Sequence, residues 1–133
     1  MGRFFYLKFY LWRFTFQPSF MFTAKEISEI NALLVPENNI VIVTHHNPDG
    51  DAIGSSLGLK HYLKTKGIEA TVIVPNDFPK FLKWMPEAKK IVIADYKRKV
   101  AGEAIYNADV IFCLDFNSPM RIGILGDWVT KAK

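Results

Sequence analysis

The sequence predicts an α/β fold, a parallel sheet flanked by helices in the Rossmann-like manner. Apolar, β-branched runs such as Ile40-Val41-Ile42-Val43 and Val110-Ile111-Phe112-Cys113-Leu114 have the continuity of strands buried on both faces. Segments of helical spacing separate them, and strands that alternate with helices imply parallel pairing through crossovers. The first run also ends in a dense polar cluster. In open α/β sheets, ligands bind at the carboxyl ends of strands. With 133 residues, half of them hydrophobic, the chain is long enough for one core.

The elements follow in order from Met21. Before it, Phe4, Phe5, Tyr6, Phe9, Tyr10, Trp12, Phe14, Phe16 and Phe20 are interspersed with Arg3, Lys8 and Arg13, and no carboxylate appears. Charges interrupt the apolar region and no small-residue cleavage site follows, so the segment does not read as a signal peptide, and it is too short to read as a membrane span. We read residues 1–20 as an aromatic, basic extension outside the domain, with a basic amphipathic surface anchor as the alternative, and residues 21–133 as the domain portion. Thr23-Ala24-Lys25-Glu26 forms a capping box ahead of Ile27, Ile30 and Leu34, predicting a helix over 24–35. A strand over 39–44, a polar loop, a helix over 52–66 closed by Gly67, and a strand over 69–74 come next. Pro75, Pro79 and Pro86 then bracket a short helix from Phe78 to Met85, whose Trp84 is expected to pack rather than to stack on a base. A short strand at 91–93, a helix near 96–107, the strand at 110–114 and a polar terminal helix from Gly126 complete the series.

The loop between the first strand and its helix carries the chemistry. Thr44-His45-His46-Asn47-Pro48-Asp49-Gly50-Asp51-Ala52-Ile53-Gly54-Ser55-Ser56 crowds two imidazoles and two carboxylates into one turn. Taken alone, the spacing of His45, Asp49 and Asp51 also suits a capping turn, with Asp51 a natural N-cap. Pro48 stiffens the turn, and Gly50 would permit positive φ between the two carboxylates. Gly54 and Gly58 fall on one helical face, suiting close packing on the sheet or approach of a phosphate. Ser55 and Ser56, expected in the helix's first turn, can bond a phosphate or the preceding backbone. A mixed histidine and carboxylate set fits Mn²⁺, Fe²⁺ or Zn²⁺ better than Mg²⁺.

The complete run resembles the first motif of the DHH phosphoesterases, in particular the branch of oligoribonucleases and 3'-phosphoadenosine 5'-phosphate phosphatases, with its pattern His-x-Asn-Pro-Asp-Gly-Asp-Ala-x-Gly-Ser at 45–55. Asp115, delivered by the 110–114 strand in Leu-Asp-Phe-Asn-Ser-Pro-Met-Arg-Ile-Gly, resembles the second motif. The resemblance implies that His45, Asp49, Asp51 and Asp115 are metal ligands and that Asp49, Asp51 and Asp115 serve catalysis. Asp115 would bridge two Mn²⁺ ions, and Asp51 would serve the second. Two such ions about 3.5 to 4 Å apart can hold a hydroxide and polarise a phosphoryl oxygen. The implied substrates are short oligonucleotides or a nucleoside 3',5'-bisphosphate, hydrolysed without a covalent intermediate. The resemblance further implies a cytoplasmic enzyme with no membrane partner, and a homodimer as the candidate assembly of the full-length protein.

The family's third motif, Asp-His-His, does not occur after Asp115. The resemblance therefore implies the N-terminal portion of a longer enzyme, inactive alone. A phosphodiesterase acting on a dinucleotide signal and a noncatalytic metal- or nucleotide-binding module are the alternatives. Arg121 and Ser55 are candidate phosphate contacts, although Arg121 can equally cap or pair on the terminal helix. His46 can donate a proton or face solvent, and His61 reads as a surface or helix-packing residue. Cys113, the single cysteine, forms no internal disulfide and reads as a reduced core thiol. The net charge of +4 is too diffuse to define a nucleic-acid surface by itself.

Overall fold

The computed structural model describes residues 22–132. The aromatic extension over residues 1–20 lies outside the described residues. Four parallel strands, β1 (Ile40–Val43), β2 (Ala70–Val74), β3 (Val92–Ile93) and β4 (Val110–Cys113), form one sheet in the order β3-β2-β1-β4. The α/β class read from the sequence is the observed one. The chain steps outward from β1 to β2 to β3, then returns across the sheet to place β4 on the other side of β1. That reversal makes the carboxyl ends of β1 and β4 the walls of a topological switch point, where an open α/β sheet leaves a crevice.

Alternation along the strands divides the core in two. Ile40, Ile42, Val72 and Val74 face one cluster with Ile53, Leu57 and Leu63 of helix α2 (Gly50–Thr65). Val41, Val43 and Ile73 face the other, with Ala101 and Ile105 of α3 (Arg98–Tyr106) and Leu125 and Val129 of α4 (Leu125–Lys131). Burial on both faces is why β1 is apolar without interruption.

The N-terminal helix α1 (Ala24–Leu33) has the expected capping box, Thr23 accepting from the Glu26 N–H while the Glu26 carboxylate accepts from the Thr23 N–H at 2.7 Å. None of its own residues is fully buried, so it holds on chiefly through the half-buried Leu33 and Leu34. Capping makes a helix start where periodicity alone leaves it marginal.

Three expectations need correction. Phe78 to Met85 is not an α-helix but a turn of 3₁₀-helix at Lys80–Leu82 continued by further i to i+3 bonds, and Trp84 does not pack: it is 77% exposed. Prolines at both ends leave too few residues for an α-helical nucleus. Gly54 and Gly58 do not mediate close packing, since a Cβ at either would meet nothing within 4 Å. Gly50 has no positive φ; it opens α2, and the left-handed backbone in this loop belongs to Asn47 at φ 55°. The glycine that does permit close approach is Gly126, where a Cβ would stand 2.5 Å from the Pro119 carbonyl oxygen. Cys113 is buried as expected, and burial pushes its thiol up to about 11, which keeps it protonated and unreactive at neutral pH.

Glu87 locks the 3₁₀ segment to α2. Its side chain, 13% exposed, receives Lys60 at 3.2 Å, Lys64 at 2.9 Å and Lys90 at 3.0 Å. Hydrogen bonds from Lys64, Lys90 and Lys60 pull its carboxyl down to about 2 from an ordinary 4.5. A pKa lowered by folding contributes stability that is complete above about pH 4.5 and is lost as pH falls through about 2. Glu87→Gln is therefore expected to lower the thermal midpoint at pH 7, with the deficit shrinking as the pH approaches 2 in acid-denaturation scans. A deficit independent of pH would show that the lysines do not act on the charge.

Candidate metal centre at the switch point

The carboxyl end of β1 runs through Thr44, wholly buried, into His45, 6% exposed. The loop then turns out at His46 and Asn47, and α2 begins at Gly50. Asp49, not Asp51, is the N-cap: its Oδ1 accepts from the N–H groups of Asp51 at 3.0 Å and Ala52 at 3.1 Å. Buried Pro48 directly precedes this cap. The Ala52 N–H, seconded by that of Asp51, holds the Asp49 carboxyl below its ordinary 3.8, and the α2 N-terminus favours the same anionic form.

The His45 ring is oriented by its own loop. Nδ1 lies 2.8 Å from the His46 carbonyl oxygen, which can only accept, so Nδ1 carries the hydrogen. That leaves Nε2 with the lone pair in the neutral ring. Nε2 points between two carboxylates, 3.9 Å from Asp49 Oδ1 and 3.5 Å from Asp115 Oδ2. Ligand atoms of His45, Asp49 and Asp115 all lie within 4.8 Å of one another. One imidazole nitrogen and two carboxylate oxygens, the imidazole braced by a carbonyl, make a donor set suited to a divalent transition metal.

Backbone geometry shows how the sheet brings these groups together. Asp115 follows β4 in the left-handed region at φ 62°, a conformation that Asp and Asn adopt more readily than other side chains. The His46 N–H donates to the Arg121 carbonyl at 2.7 Å, stitching the β1 loop to the 3₁₀ turn Pro119–Ile122 beyond β4. On the other side, Asn47 and Asn76 exchange two bonds of 2.7 Å, tying the loop to the exit of β2. Asn76 escaped the sequence reading. The signal was its position, polar and directly after the apolar run that ends at Val74 and Pro75.

The remaining candidates divide. Asp51 is exposed in the first turn of α2 and stands apart from the three-residue group. Ser55 and Ser56 lie in the second turn rather than the first; both hydroxyls donate to the Ala52 carbonyl, at 3.3 and 2.7 Å, and only Ser55 is exposed. The Arg121 side chain is exposed and, among the described residues, forms no ion pair, so it does not pair on the terminal helix. His46 is exposed, its ring edge near Gly123. His61 sits mid-helix, half-buried, a ring nitrogen 3.4 Å from the Pro86 carbonyl, the packing role expected of it. Thr44 Oγ1 is the one buried side-chain polar atom without a partner among the described residues.

An all-parallel sheet with a histidine and two carboxylates converging at its switch point defines an α/β protein whose β1 and β4 loops bring together groups able to hold a metal ion. The family model described as the DHH family, N-terminal domain, matches residues 39–128, and the chain belongs to that family. It is 40% identical over 106 residues to the bifunctional oligoribonuclease and PAP phosphatase NrnA of Thermus thermophilus, an alignment that covers 80% of this chain and 29% of the relative. A crystal structure of an exopolyphosphatase-related protein from Bacteroides fragilis superimposes with a TM-score of 0.77 at 48% identity, covering 80% of this chain and 31% of the other. The chain thus spans less than a third of the length of either relative.

Proposed function

We propose that this chain forms the metal-holding wall of a phosphoesterase site that hydrolyses short oligonucleotides or a nucleoside 3',5'-bisphosphate. The observation that carries the reading is the convergence of His45 Nε2 on Asp49 and Asp115 at the switch point. In the same reading the ions are Mn²⁺, the protein works in the cytoplasm, and the full-length protein assembles as a homodimer. Residues 21–133 are the domain portion and residues 1–20 lie outside it.

His45, Asp49 and Asp115 hold one metal position, and Asp51 contributes to a second from the first turn of α2. When bound, divalent ions would acidify a water and polarise the phosphoryl oxygen. The chain's own residues do the rest. The carbonyl bond at Nδ1 keeps the His45 lone pair aimed inward. The two N–H groups on Asp49 hold its carboxylate ionised and oriented. Arg121, positioned by its backbone bond to His46, offers a guanidinium to a substrate phosphate, and Ser55 offers a hydroxyl at the open side of α2. Hydrolysis forms one P–O bond from water and breaks the P–O bond to the nucleoside oxygen, which leaves with a proton; no covalent enzyme intermediate is required.

The deciding experiment is metal-dependent cleavage of a dinucleotide by a chimera in which this chain replaces the aligned part of the Thermus enzyme. Cleavage supports the enzyme reading. Metal binding without cleavage would leave a noncatalytic metal-binding module.

A further inference from the structure

The segment that leaves β2 winds with three residues per turn. Leu82 N–H bonds the Pro79 carbonyl at 2.9 Å, Lys83 the Lys80 carbonyl at 3.0 Å, and Met85 the Leu82 carbonyl at 3.2 Å. At that period, side chains three apart eclipse one another. Leu82 and Met85 form the inward column and join the core. Phe81 and Trp84, also three apart, are 72% and 77% exposed. Of the remaining pair, Lys80 is exposed and Lys83 is turned onto Asp77 at 2.8 Å.

Two large aromatic rings held outward beside a lysine are costly to leave bare, and a further exposed ring, Tyr96, shares a carboxylate with Lys83. Tyr96 Oη lies 3.5 Å and Lys83 Nζ 3.0 Å from Asp77 Oδ2. Lys80 is exposed and forms no ion pair among the described residues. The segment is anchored to the metal loop through Asn76, whose side chain exchanges bonds with Asn47, two residues before Asp49.

We propose that Phe81 and Trp84, flanked by Lys80, form a stacking platform for the bases of a single-stranded oligonucleotide whose reacting phosphate lies at the switch point. This deepens the phosphoesterase reading and rests on it for the identity of the ligand. Exposed aromatics interleaved with lysines suit single strands because every base offers a stacking face, while the lysine meets the backbone charge. A platform off the metal, on the segment that Asn76 ties to the metal loop, would hold an oligomer and add nothing for a mononucleotide.

The test is fluorescence anisotropy of the chain with a labelled short oligoadenylate, in chelator, against an abasic strand of equal charge. Binding should favour the strand with bases. Trp84→Ala and Phe81→Ala should each weaken it about tenfold, Trp84→Phe should retain most of it, and Lys80→Ala should lower the salt slope by about 1. Both rings are exposed, so the variants should keep the wild-type thermal midpoint. Equal affinity for the abasic strand, or no loss in Trp84→Ala, would overturn the platform. So would loss of a self-associated species in Trp84→Ala with oligoadenylate affinity unchanged, which would make the patch a contact between copies. A separate Mn²⁺ titration of the same chain reads the metal centre, so failure of the platform and failure of the phosphoesterase reading remain distinguishable.

Discussion

Asp115→Asn is expected to remove most of the chain's affinity for Mn²⁺, with the fold and thermal transition nearly unchanged. Asp115 Oδ2 lies 3.5 Å from His45 Nε2, and unlike Asp49 Oδ1 it is not already shared between two backbone N–H groups. It is therefore the carboxylate freest to give its charge to an ion. The substitution is clean because Asn tolerates the φ of 62° as well as Asp does. Asp49→Ala is a poorer probe: it also removes a helix cap, at a cost of about 1 kcal/mol. Removing an outer partner of a ligand typically costs about 10- to 100-fold in metal affinity, and losing a charged ligand should cost no less. Calorimetric titration of wild type should find one weak Mn²⁺ site, with a second filling only at far higher concentration, because Asp51 stands apart from the trio. Two equally tight ions, or an unaffected Asp115→Asn, would refute this ligand assignment.

Most of the architecture was legible in the sequence because burial on both faces writes itself into β1 and β4 as uninterrupted apolar runs. The convergence of His45, Asp49 and Asp115 is legible for a related reason: each loop that carries them follows directly on such a run. What escaped was local. Periodicity cannot separate a 3₁₀ segment from a short α-helix when prolines bracket only a few residues, so Trp84 was expected inside and is found outside. Glycine spacing is equally ambiguous: Gly54 and Gly58 share a face but face open space, while Gly126, which makes the close approach, has no pattern around it. The cap at Asp49 rather than Asp51 is set by which carboxylate reaches the free N–H groups of Asp51 and Ala52, which spacing does not encode. Asn76 is joined to Asn47 across 29 residues of sequence, a pairing that only the strand order β2 beside β1 creates.

In the chimera with the Thermus enzyme, Asp49→Ala, Asp51→Ala and Asp115→Ala are each expected to lower turnover of a dinucleotide by roughly 10²-fold or more, while His61→Ala stays near wild type. The asymmetry follows from position. Asp49 and Asp115 flank His45 Nε2, and Asp51 lies in the first turn of α2, two residues after Asp49, whereas His61 is mid-helix against the Pro86 carbonyl. These 133 residues alone are expected to show no measurable turnover, because the trio accounts for one metal position and hydrolysis also needs a second ion and an opposing wall that orients substrate and excludes water. Asp51→Ala separates the two positions: it should cost turnover in the chimera yet leave the single weak Mn²⁺ site of the isolated chain intact. Dinucleotide cleavage by the isolated chain that vanished in Asp115→Ala would show that one metal position and one wall suffice. Loss of the weak site in Asp51→Ala would instead place that carboxylate in the first position, and the division of ligands drawn from the His45 geometry would have to be redrawn.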